Sequence, residues 1–340
     1  MNIDISKNRT SSDSHIKDQS PLFIVGCGRS GTTLLRTMMN HHRDIAIPLE
    51  SLFIVDYLRA GTRCDLSTIK DLIVQEYELR EWGIAFTRND LDHLSSIKEI
   101  FDYLHKRYAK IQGKTRWGQK TPRFVRHGSL LLKYYPHALF IHVIRDPRAV
   151  ASSFLRSRAH RSNVLFASKR WLMDVRAGLD LKRKFPDNVL EIRYEELVSN
   201  TKSILQTICD FIGVSFDKNM LQYHEKGYSE YSRYYYSLHR KLDHAPDTNR
   251  INAWRSSLSH QQLRLIEQIC SSLMQRLKYK PETSTKPSRI YLTLLNFERL
   301  LGICLQGIHY LHYRKGYIHS FLRRKYMLGL LLEDFLEVNY

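Results

Sequence analysis

The stretch FIVGCGRSGTTLL, residues 23–35, joins an apolar run to a helix-length segment through a loop rich in glycine. Gly26, Gly31 and Thr33 follow the phosphate-loop pattern G-x-x-x-x-G-K-[ST], but Thr32 stands in the place of the lysine. Glycine lets the backbone approach a ligand closely, and the free N–H groups at a helix start attract anions. The stretch therefore predicts a strand, an anion-binding loop and a helix.

Short apolar runs of this kind alternate with helix-length segments along the chain. We predict strands at 22–26, 45–49, 139–144 and 189–194. We predict helices at 31–41, 94–110, 147–158 and 163–184. This alternation is typical of an α/β fold with a P-loop-like parallel sheet flanked by helices.

The net charge is unusual for a chain of ordinary hydrophobic content. Lys and Arg number 53 against 34 Asp and Glu, which gives a formal net charge of +19. Such a charge favours anionic ligands, nucleic acid or acidic membranes, and it does not determine the fold. The five cysteines are scattered and form no Cys-x-x-Cys pair, which argues against a disulfide framework or a zinc site.

The ends of the chain differ in composition from its middle. Residues 1–20 are polar and lack the apolar core of a signal peptide, so we expect a disordered lead-in and a cytoplasmic protein. Residues 21–280 then form the α/β domain. Prolines and small polar residues at 280–289 indicate a linker, so 281–340 is expected to be a linker and a helical C-terminal extension.

The extension is expected to contain two helices, near 290–312 and 318–337. The first has one apolar face at helical spacing, made of Leu294, Phe297, Leu301, Cys304, Leu305, Ile308 and Leu311. We expect this face to pack on its own domain. A homodimer interface and peripheral contact with a membrane surface are the alternatives. Glu298 and Arg299, in the middle of the run, argue against a membrane-spanning helix.

A second candidate site follows the strand predicted at 139–144. Asp146 is suited to cap a helix and Pro147 to occupy its first position, so Arg145 lies at the carboxyl end of a buried strand. Ligands of open α/β sheets bind at that edge. Ser153 lies about two turns along the helix and can face the same ligand. The alternative is that Arg145 pairs with a structural carboxylate.

A third candidate is Lys120, in the stretch GQKTPRF at 118–124. Pro122 predicts a turn, because a regular helix cannot continue through it. A lysine on a loop between two α/β segments can supply the positive charge that Thr32 does not. The alternative is an ordinary surface lysine.

The stretches GCGRSGTTLL, KTP, IRDPRAVASS and IRYEEL, in this order, resemble sulfotransferases that use 3′-phosphoadenosine 5′-phosphosulfate (PAPS). The resemblance is strongest to the branch with the tyrosylprotein and many bacterial sulfotransferases, and it covers roughly residues 21–275. It implies transfer of a sulfuryl group from PAPS to an acceptor hydroxyl, without a metal ion. It also accounts for Thr32, since PAPS has no γ-phosphate for a lysine to reach.

The resemblance assigns roles to individual residues. The loop would hold the 5′-phosphosulfate through Arg29, Ser30, Gly31, Thr32 and Thr33. Arg145 and Ser153 would hold the 3′-phosphate. Tyr194 would line the nucleotide site, and Arg250 would close over the nucleotide.

The resemblance also implies two catalytic residues. Lys120 would stabilise the charge that develops on the oxygen between phosphorus and sulfur. Glu50, in AIPLES, would accept the proton of the acceptor. The alternative bases are His41, His42 and His127. Glu50 could instead have a structural role, as the cap or the first residue of the next helix.

Two other functions stay open at this point. One is a nucleotide-dependent kinase with a degenerate P-loop, and the absent lysine weighs against it. The other is a basic nucleic-acid-binding protein, which explains the charge but not the placement of Arg145 and Ser153. The sulfotransferase reading expects no nucleic acid partner. It leaves the acceptor open among protein tyrosine, carbohydrate, lipid and small alcohol.

Overall fold

The computed structural model describes residues 20–157, 162–225, 240–283 and 289–331. Within these residues, five strands form one parallel sheet in the order β2-β3-β1-β4-β5. The strands are β1 Leu22–Gly26, β2 Ile45–Ala46, β3 Arg116–Lys120, β4 Leu139–Ile144 and β5 Val189–Arg193. The predicted α/β fold with a parallel sheet is confirmed.

Helices connect the strands and follow the sheet. The first group is α1 Thr32–Asn40, α2 Phe53–Ala60, α3 Leu66–Ile73, α4 Tyr77–Glu81, α5 Ile97–Ile111 and α6 Gly128–Tyr134. The second is α7 Pro147–Leu155, α8 Val164–Lys184, α9 Tyr194–Ser199, α10 Thr201–Ile212 and α11 His260–Arg276. The extension contains α12 Arg289–Tyr313 and α13 Lys315–Met327. Short 3₁₀ segments, among them Pro122–His127 and Thr248–Arg250, complete the described elements.

Both faces of the sheet are buried, which explains why strands β1 and β4 are almost entirely apolar. Successive strand residues point to opposite faces. Phe23 of β1 stacks on Phe140 of β4, with ring centroids 5.2 Å apart, in the core cluster on one face. Ile24 and Ile141 belong to the cluster on the other face. Helices must therefore cover the sheet on both sides.

Strand β3 corrects the prediction that Lys120 lies on a loop. The stretch Arg116–Lys120 is a buried strand between β1 and β2. Its sequence, RWGQK, lacks the apolar pattern of a buried strand. It can nevertheless be buried because its polar side chains form hydrogen bonds inside the protein. Arg116 donates to the carbonyl oxygens of Ser20, at 3.1 Å, and Ile212, at 2.7 Å. Lys120 consequently ends a strand that is adjacent to β1.

The apolar face of α12 corrects a second prediction. In the described structure this face is exposed to solvent: Leu294 is 62% and Phe297 73% accessible. The helix instead packs through another side, where Leu295 is buried and its carbonyl accepts a 2.5 Å hydrogen bond from Asn163 of α8. Among the described helices, none is long and apolar enough to span a membrane.

Helix α13 is tied to the main domain by buried ion pairs. Arg324, which is 1% exposed, donates to Asp56 at 2.8 Å and to Glu76 at 2.6 Å. Lys325 donates to the other oxygen of Asp56 at 2.5 Å. The division of the chain at residues 20 and 280 stays a prediction, and residues 1–19 and 332–340 lie outside the described part.

Candidate functional site

The carboxyl edge of the sheet collects the ends of its three central strands. β1 ends at Gly26 and leads into the glycine loop, residues 26–31. On either side of it, β3 ends at Lys120, and β4 ends one residue before Arg145. Three segments distant in sequence therefore meet there because the strand order places β1 between β3 and β4.

The glycine loop is shaped by three residues with positive φ, Gly26, Arg29 and Gly31. Gly31, which precedes the first residue of α1, has a φ of 95°. A Cβ atom at this position would lie 2.4 Å from Cδ2 of Tyr194, so glycine is needed for both space and backbone conformation. Arg29 also has a positive φ, 71°, which is uncommon outside glycine. The loop thus packs against the ring of Tyr194.

Arg29 connects the loop to the helix that follows β4. Its Nε donates to Oγ of Ser153, in α7, at 3.1 Å. Burial lowers the pKa of the Arg29 guanidinium, and the positive charge of Arg145 lowers it further. Two cations are thus held close together, an arrangement that an anionic ligand would stabilise.

Arg145 is fixed by four neighbours of the same edge. Its guanidinium donates to the carbonyl oxygens of Arg29, at 3.1 Å, and Arg250, at 3.0 Å. Its Cζ lies 3.9 Å from the ring centroid of Tyr194, a cation–π contact. Trp171 of α8 donates to the carbonyl oxygen of Arg145 at 2.8 Å. The structure therefore brings together Arg29, Arg145, Tyr194 and Arg250.

The alternative that Arg145 pairs with a structural carboxylate does not match its contacts. Asp146 caps α7 as predicted, since its side chain accepts from the backbone N–H of Arg148 at 2.8 Å. The nearby carboxylates form ion pairs with Arg148 and not with Arg145: Asp146 at 2.7 Å and Glu267 at 2.9 Å. In the part of the chain that is described, Arg145 forms no ion pair.

Two donors at this edge have no hydrogen-bond partner within the described residues. They are Oγ of Ser30, a residue with no exposed surface, and Nε of Arg145. Burial of a polar group without a partner costs free energy. Thr32 is also buried, at the first position of α1, where backbone N–H groups are available. The residues present fit a ligand that carries several anionic oxygens.

Lys120 lies between the loop and Glu50. Its Nζ donates to Oγ1 of Thr33 at 3.3 Å and forms an ion pair with Oε1 of Glu50. The Lys120 side chain is 4% exposed and that of Glu50 is 37% exposed. The cation is thus buried on the loop side, while the carboxylate is open to solvent. This is an arrangement in which one molecule can be held by the loop and another can approach Glu50.

The histidines proposed as alternative bases have other partners. Both ring nitrogens of His42 are used, one against the carbonyl oxygen of Ser215 at 2.9 Å and one by the N–H of Asp44 at 3.1 Å. His41 bonds the carbonyl oxygen of Thr37. Burial, together with nearby Arg59 and Arg123, lowers the pKa of His127 to about 4. Glu50 does not cap α2, since that helix begins at Phe53 and has no side-chain cap.

Sequence reasoning missed a buried network beneath Glu50 and Lys120. Gln119, which has no exposed surface, donates to the carbonyl oxygen of Leu49 at 3.1 Å and to Oγ1 of Thr121 at 3.1 Å. Its Oε1 lies 3.1 Å from Nε2 of His105. The N–H of Ser51 donates to the same Oγ1 of Thr121 at 3.0 Å. These hydrogen bonds connect Leu49 and Ser51, which flank Glu50, to Gln119 and Thr121, which flank Lys120. No feature of the sequence indicates this network.

Across the described ranges, no group of three or more His, Cys, Asp or Glu side chains is placed to hold a metal ion.

Comparison with known proteins gives a family for most of the domain. The profile of the "Sulfotransferase family" matches residues 21–218. A "Putative protein-tyrosine sulfotransferase" of Caenorhabditis briggsae is 24% identical over 211 residues, which cover 60% of this chain and 69% of that protein. "Nodulation protein NoeE" of Sinorhizobium fredii is 25% identical over 292 residues, which cover 78% of this chain and 68% of that protein.

The fold is shared with solved structures of low sequence identity. The "Sulfotransferase Domain from the Curacin Biosynthetic Pathway" is 20% identical, with a TM-score of 0.54. The match covers 75% of this chain and 97% of that chain. The sulfotransferase domain of the Synechococcus PCC 7002 olefin synthase also has a TM-score of 0.54, at 22% identity. These likenesses concern the fold.

Proposed function

The chain belongs to the sulfotransferase family, and we propose that it moves a sulfuryl group from PAPS to an acceptor hydroxyl at the carboxyl edge of its sheet. The predicted family and the predicted class of PAPS-dependent sulfotransferase are confirmed, in preference to a kinase or a nucleic-acid-binding protein. The roles of individual residues stay predictions. The observation that carries them is Lys120, placed between Thr33 of the glycine loop and Glu50.

The donor side of the proposal rests on the residues that the loop gathers. Ser30, Thr32 and Thr33 offer hydroxyls beside the start of α1, where a phosphosulfate would accept backbone and side-chain hydrogen bonds. Arg145 and Ser153 would hold the 3′-phosphate, and the unpartnered Nε of Arg145 supports this assignment. These residues bind and orient PAPS, which supplies the sulfuryl group.

Lys120 would act on the leaving group. When the sulfur–oxygen bond of the donor breaks, its electron pair stays on the 5′-phosphate oxygen, which becomes more negative. A buried, positioned cation stabilises that charge better than water does. Lys120 has the required burial, and its bond to Thr33 holds it against the loop.

Glu50 would act as the general base. The acceptor oxygen forms the new bond to sulfur, and its proton must leave as this occurs. The Glu50 carboxylate can take the proton because its side chain is partly exposed, so that an acceptor can reach it, and its contact with Lys120 places it next to the leaving group. When Glu50 is protonated, its ion pair with Lys120 is lost, and the full charge of Lys120 becomes available to the leaving oxygen.

The acceptor and the compartment are the least specified parts of the proposal. Relatives carry the names protein-tyrosine sulfotransferase and carbohydrate sulfotransferase, and tyrosine side chains and carbohydrates both present hydroxyl groups. We propose a hydroxyl acceptor for this chain, among tyrosine, carbohydrate, lipid and small alcohol. The cytoplasmic location stays a prediction, supported by five cysteines that are all free thiols.

Substitution of Glu50 and Lys120 tests the proposal. With radiolabelled PAPS and a pool of acceptor hydroxyl compounds, we expect Lys120→Ala to lower kcat about 100- to 1,000-fold. Glu50→Gln should lower kcat at least about 100-fold and leave the affinity for 3′-phosphoadenosine 5′-phosphate (PAP) unchanged or higher. PAP affinity is measured by calorimetry on the same preparations.

Matched controls separate the two roles from general damage. Glu196→Gln makes the same change at an exposed glutamate of α9, and Lys133→Ala does so at an exposed lysine of α6; both should retain full activity. Normal transfer by Lys120→Ala would refute the assignment of the site. Normal transfer by Glu50→Gln alone would leave the site in place and move the base to another residue.

A further inference from the structure

The exposed face of α12 is the largest apolar feature that the catalytic proposal does not use. It consists of Leu294, Phe297, Leu300, Leu301, Cys304, Leu305, Ile308 and Leu311, and we call it the α12 face. The seven largest of these side chains are between 39% and 73% exposed. The opposite side of the helix is occupied, because Leu295 is buried and Arg299 lies over the ring of Phe166 at 4.9 Å. The helix is therefore apolar on two sides but covered on one.

The spacing of the α12 face is that of a helix-pairing surface. Leu294, Leu301 and Ile308 alternate with Phe297, Cys304 and Leu311 in steps of three and four residues. This is the a/d pattern by which two helices pack side by side. The pattern is also self-complementary. In an antiparallel pair, Leu294 meets Leu311 of the second copy, Phe297 meets Ile308, and Leu301 meets Cys304.

The area of the face is adequate for a stable dimer. Seven large side chains, each exposed by about half, amount to roughly 600 Å² if each offers about 150 Å² when fully exposed, the lower end of the range for an aromatic side chain. The largest apolar patch of a typical monomer is about 300–600 Å². One side of a standard protein interface is about 800 Å². The α12 face alone thus supplies most of one side of a standard interface.

The charges of α12 argue against a lipid surface as the occupant. A helix that lies on a membrane usually carries Lys and Arg along the flank of its apolar face. The charged residues of α12 are Arg289 at its first position and Glu298 and Arg299 in its middle, and Arg299 is engaged with Phe166 of α8. The face itself contains no charge that would oppose a second copy, in spite of the net charge of the chain.

We propose that the α12 face binds the α12 face of a second copy, so that the chain is a two-fold symmetric dimer. Pairing would remove both faces from water, and that is the driving force of association. The catalytic edge lies on other segments of the chain, so this inference does not depend on the proposed function.

The mass of the full chain in solution tests the proposal. Sedimentation equilibrium at micromolar concentration should give twice the chain mass of 40.2 kDa. Ile308→Glu should raise the dissociation constant at least about 100-fold, because each dimer would bury two carboxylates. The matched control is Ile111→Glu, which makes the same change at an exposed isoleucine of α5, 57% against 63% accessible. This variant should remain dimeric.

A disulfide trap keeps the test valid if Ile308→Glu does not fold. Under mild oxidation, Leu301→Cys should cross-link to Cys304 of the second copy in an antiparallel pair. In a parallel pair, wild-type Cys304 should cross-link to itself. Either covalent dimer supports the proposal. A wild-type chain that is monomeric at tens of micromolar overturns it, and so does a monomer that binds anionic vesicles through this face.

Discussion

The carboxyl edge has two sides, which we name by their proposed roles: the nucleotide side, with Arg29, Arg145 and Tyr194, and the transfer side, with Lys120 and Glu50. The positive charges of the two sides have different kinds of partner. On the nucleotide side, Arg29 and Arg145 form no ion pair with any described residue, and burial lowers the pKa of both. Their partners are a hydroxyl, backbone carbonyls and the ring of Tyr194. On the transfer side, Lys120 is paired with Glu50. The positive charges of the nucleotide side are therefore available to an anionic ligand, whereas the positive charge of Lys120 is neutralised by Glu50.

This difference separates binding from turnover. Uncompensated, buried cations gain most when a polyanion arrives, so the nucleotide side should determine affinity. A paired cation gains little on binding and more when charge develops beside it, so the transfer side should determine the rate. Substitutions on the two sides should accordingly change different constants, and the following predictions test this separation.

The largest effect on the nucleotide side is expected for Arg145→Ala. We expect the Kd for PAP to rise about 100-fold, since the variant loses a cation and leaves the carbonyls of Arg29 and Arg250 without their donor. Saturating PAPS should restore kcat to within a few fold. Calorimetry with PAP and initial rates over a range of PAPS concentrations measure the two effects.

Arg193 is a matched control for Arg145. It ends β5, the strand next to β4, its guanidinium lies 4.2 Å from the ring of Tyr279, and it donates to the carbonyl oxygen of Leu277 at 2.7 Å. Arg193→Ala thus removes an arginine with the same kinds of ring and carbonyl contact, together with an ion pair to Glu195 at 4.0 Å, but without a contact to the glycine loop among the described residues. We expect its PAP affinity to be unchanged. Equal weakening by both variants would contradict a special role for Arg145.

The nucleotide side could be predicted from sequence, and the reason is local geometry. The glycine loop and the Asp146–Pro147 helix start are short-range signals, because caps and tight turns require particular residues at fixed spacing. Both signals correctly predict the start of a helix, and the predicted strands at 22–26 and 139–144 have the bounds that the structure shows. The residues that depend on these signals, Arg29 and Arg145, are in contact in the structure.

The transfer side was less predictable because strand β3, which carries Lys120, has no local signal in the sequence. Strand β3 has no apolar pattern, and its polar residues are stabilised by contacts such as that of Arg116 with Ile212. Its position beside β1 follows from the strand order, which the sequence does not state. The exposed α12 face was mispredicted for a related reason: an amphipathic pattern identifies a face but not the surface that covers it.

An intermediate effect is expected for Gln119→Leu on the transfer side. The change removes the donor that links the carbonyl of Leu49 to Oγ1 of Thr121, so Glu50 and Lys120 lose their fixed relative position. We expect kcat to fall about 10-fold with PAP affinity within about two-fold of wild type. Steady-state rates and PAP calorimetry on the same preparation measure this.

The network also predicts how a second substitution behaves. Thr121→Val removes the acceptor of the Ser51 N–H as well as that of Gln119. Because both changes disrupt the same support, the double variant should lose much less kcat than the product of the single losses. A parallel fall in PAP affinity would mean that Gln119 supports the whole edge, which would remove the distinction between its two sides.

The smallest effect on activity is expected for His127→Gln, which also tests the last rival base. In the folded chain the pKa of His127 is about 4, against about 6.5 for an unperturbed histidine, because burial and the nearby arginines disfavour its charged form. The unfolded chain therefore binds a proton between pH 6.5 and 4 that the folded chain does not. The free energy of unfolding should fall as pH decreases through this window, by up to about 3 kcal/mol from His127.

His127→Gln should make that decrease shallower, as measured by urea unfolding at pH 7, 5.5 and 4.5, and should keep kcat at pH 7 within about two-fold. A loss of turnover as large as that of Glu50→Gln, in a variant that still binds PAP, would instead make His127 the base and leave Glu50 as the partner that only neutralises Lys120.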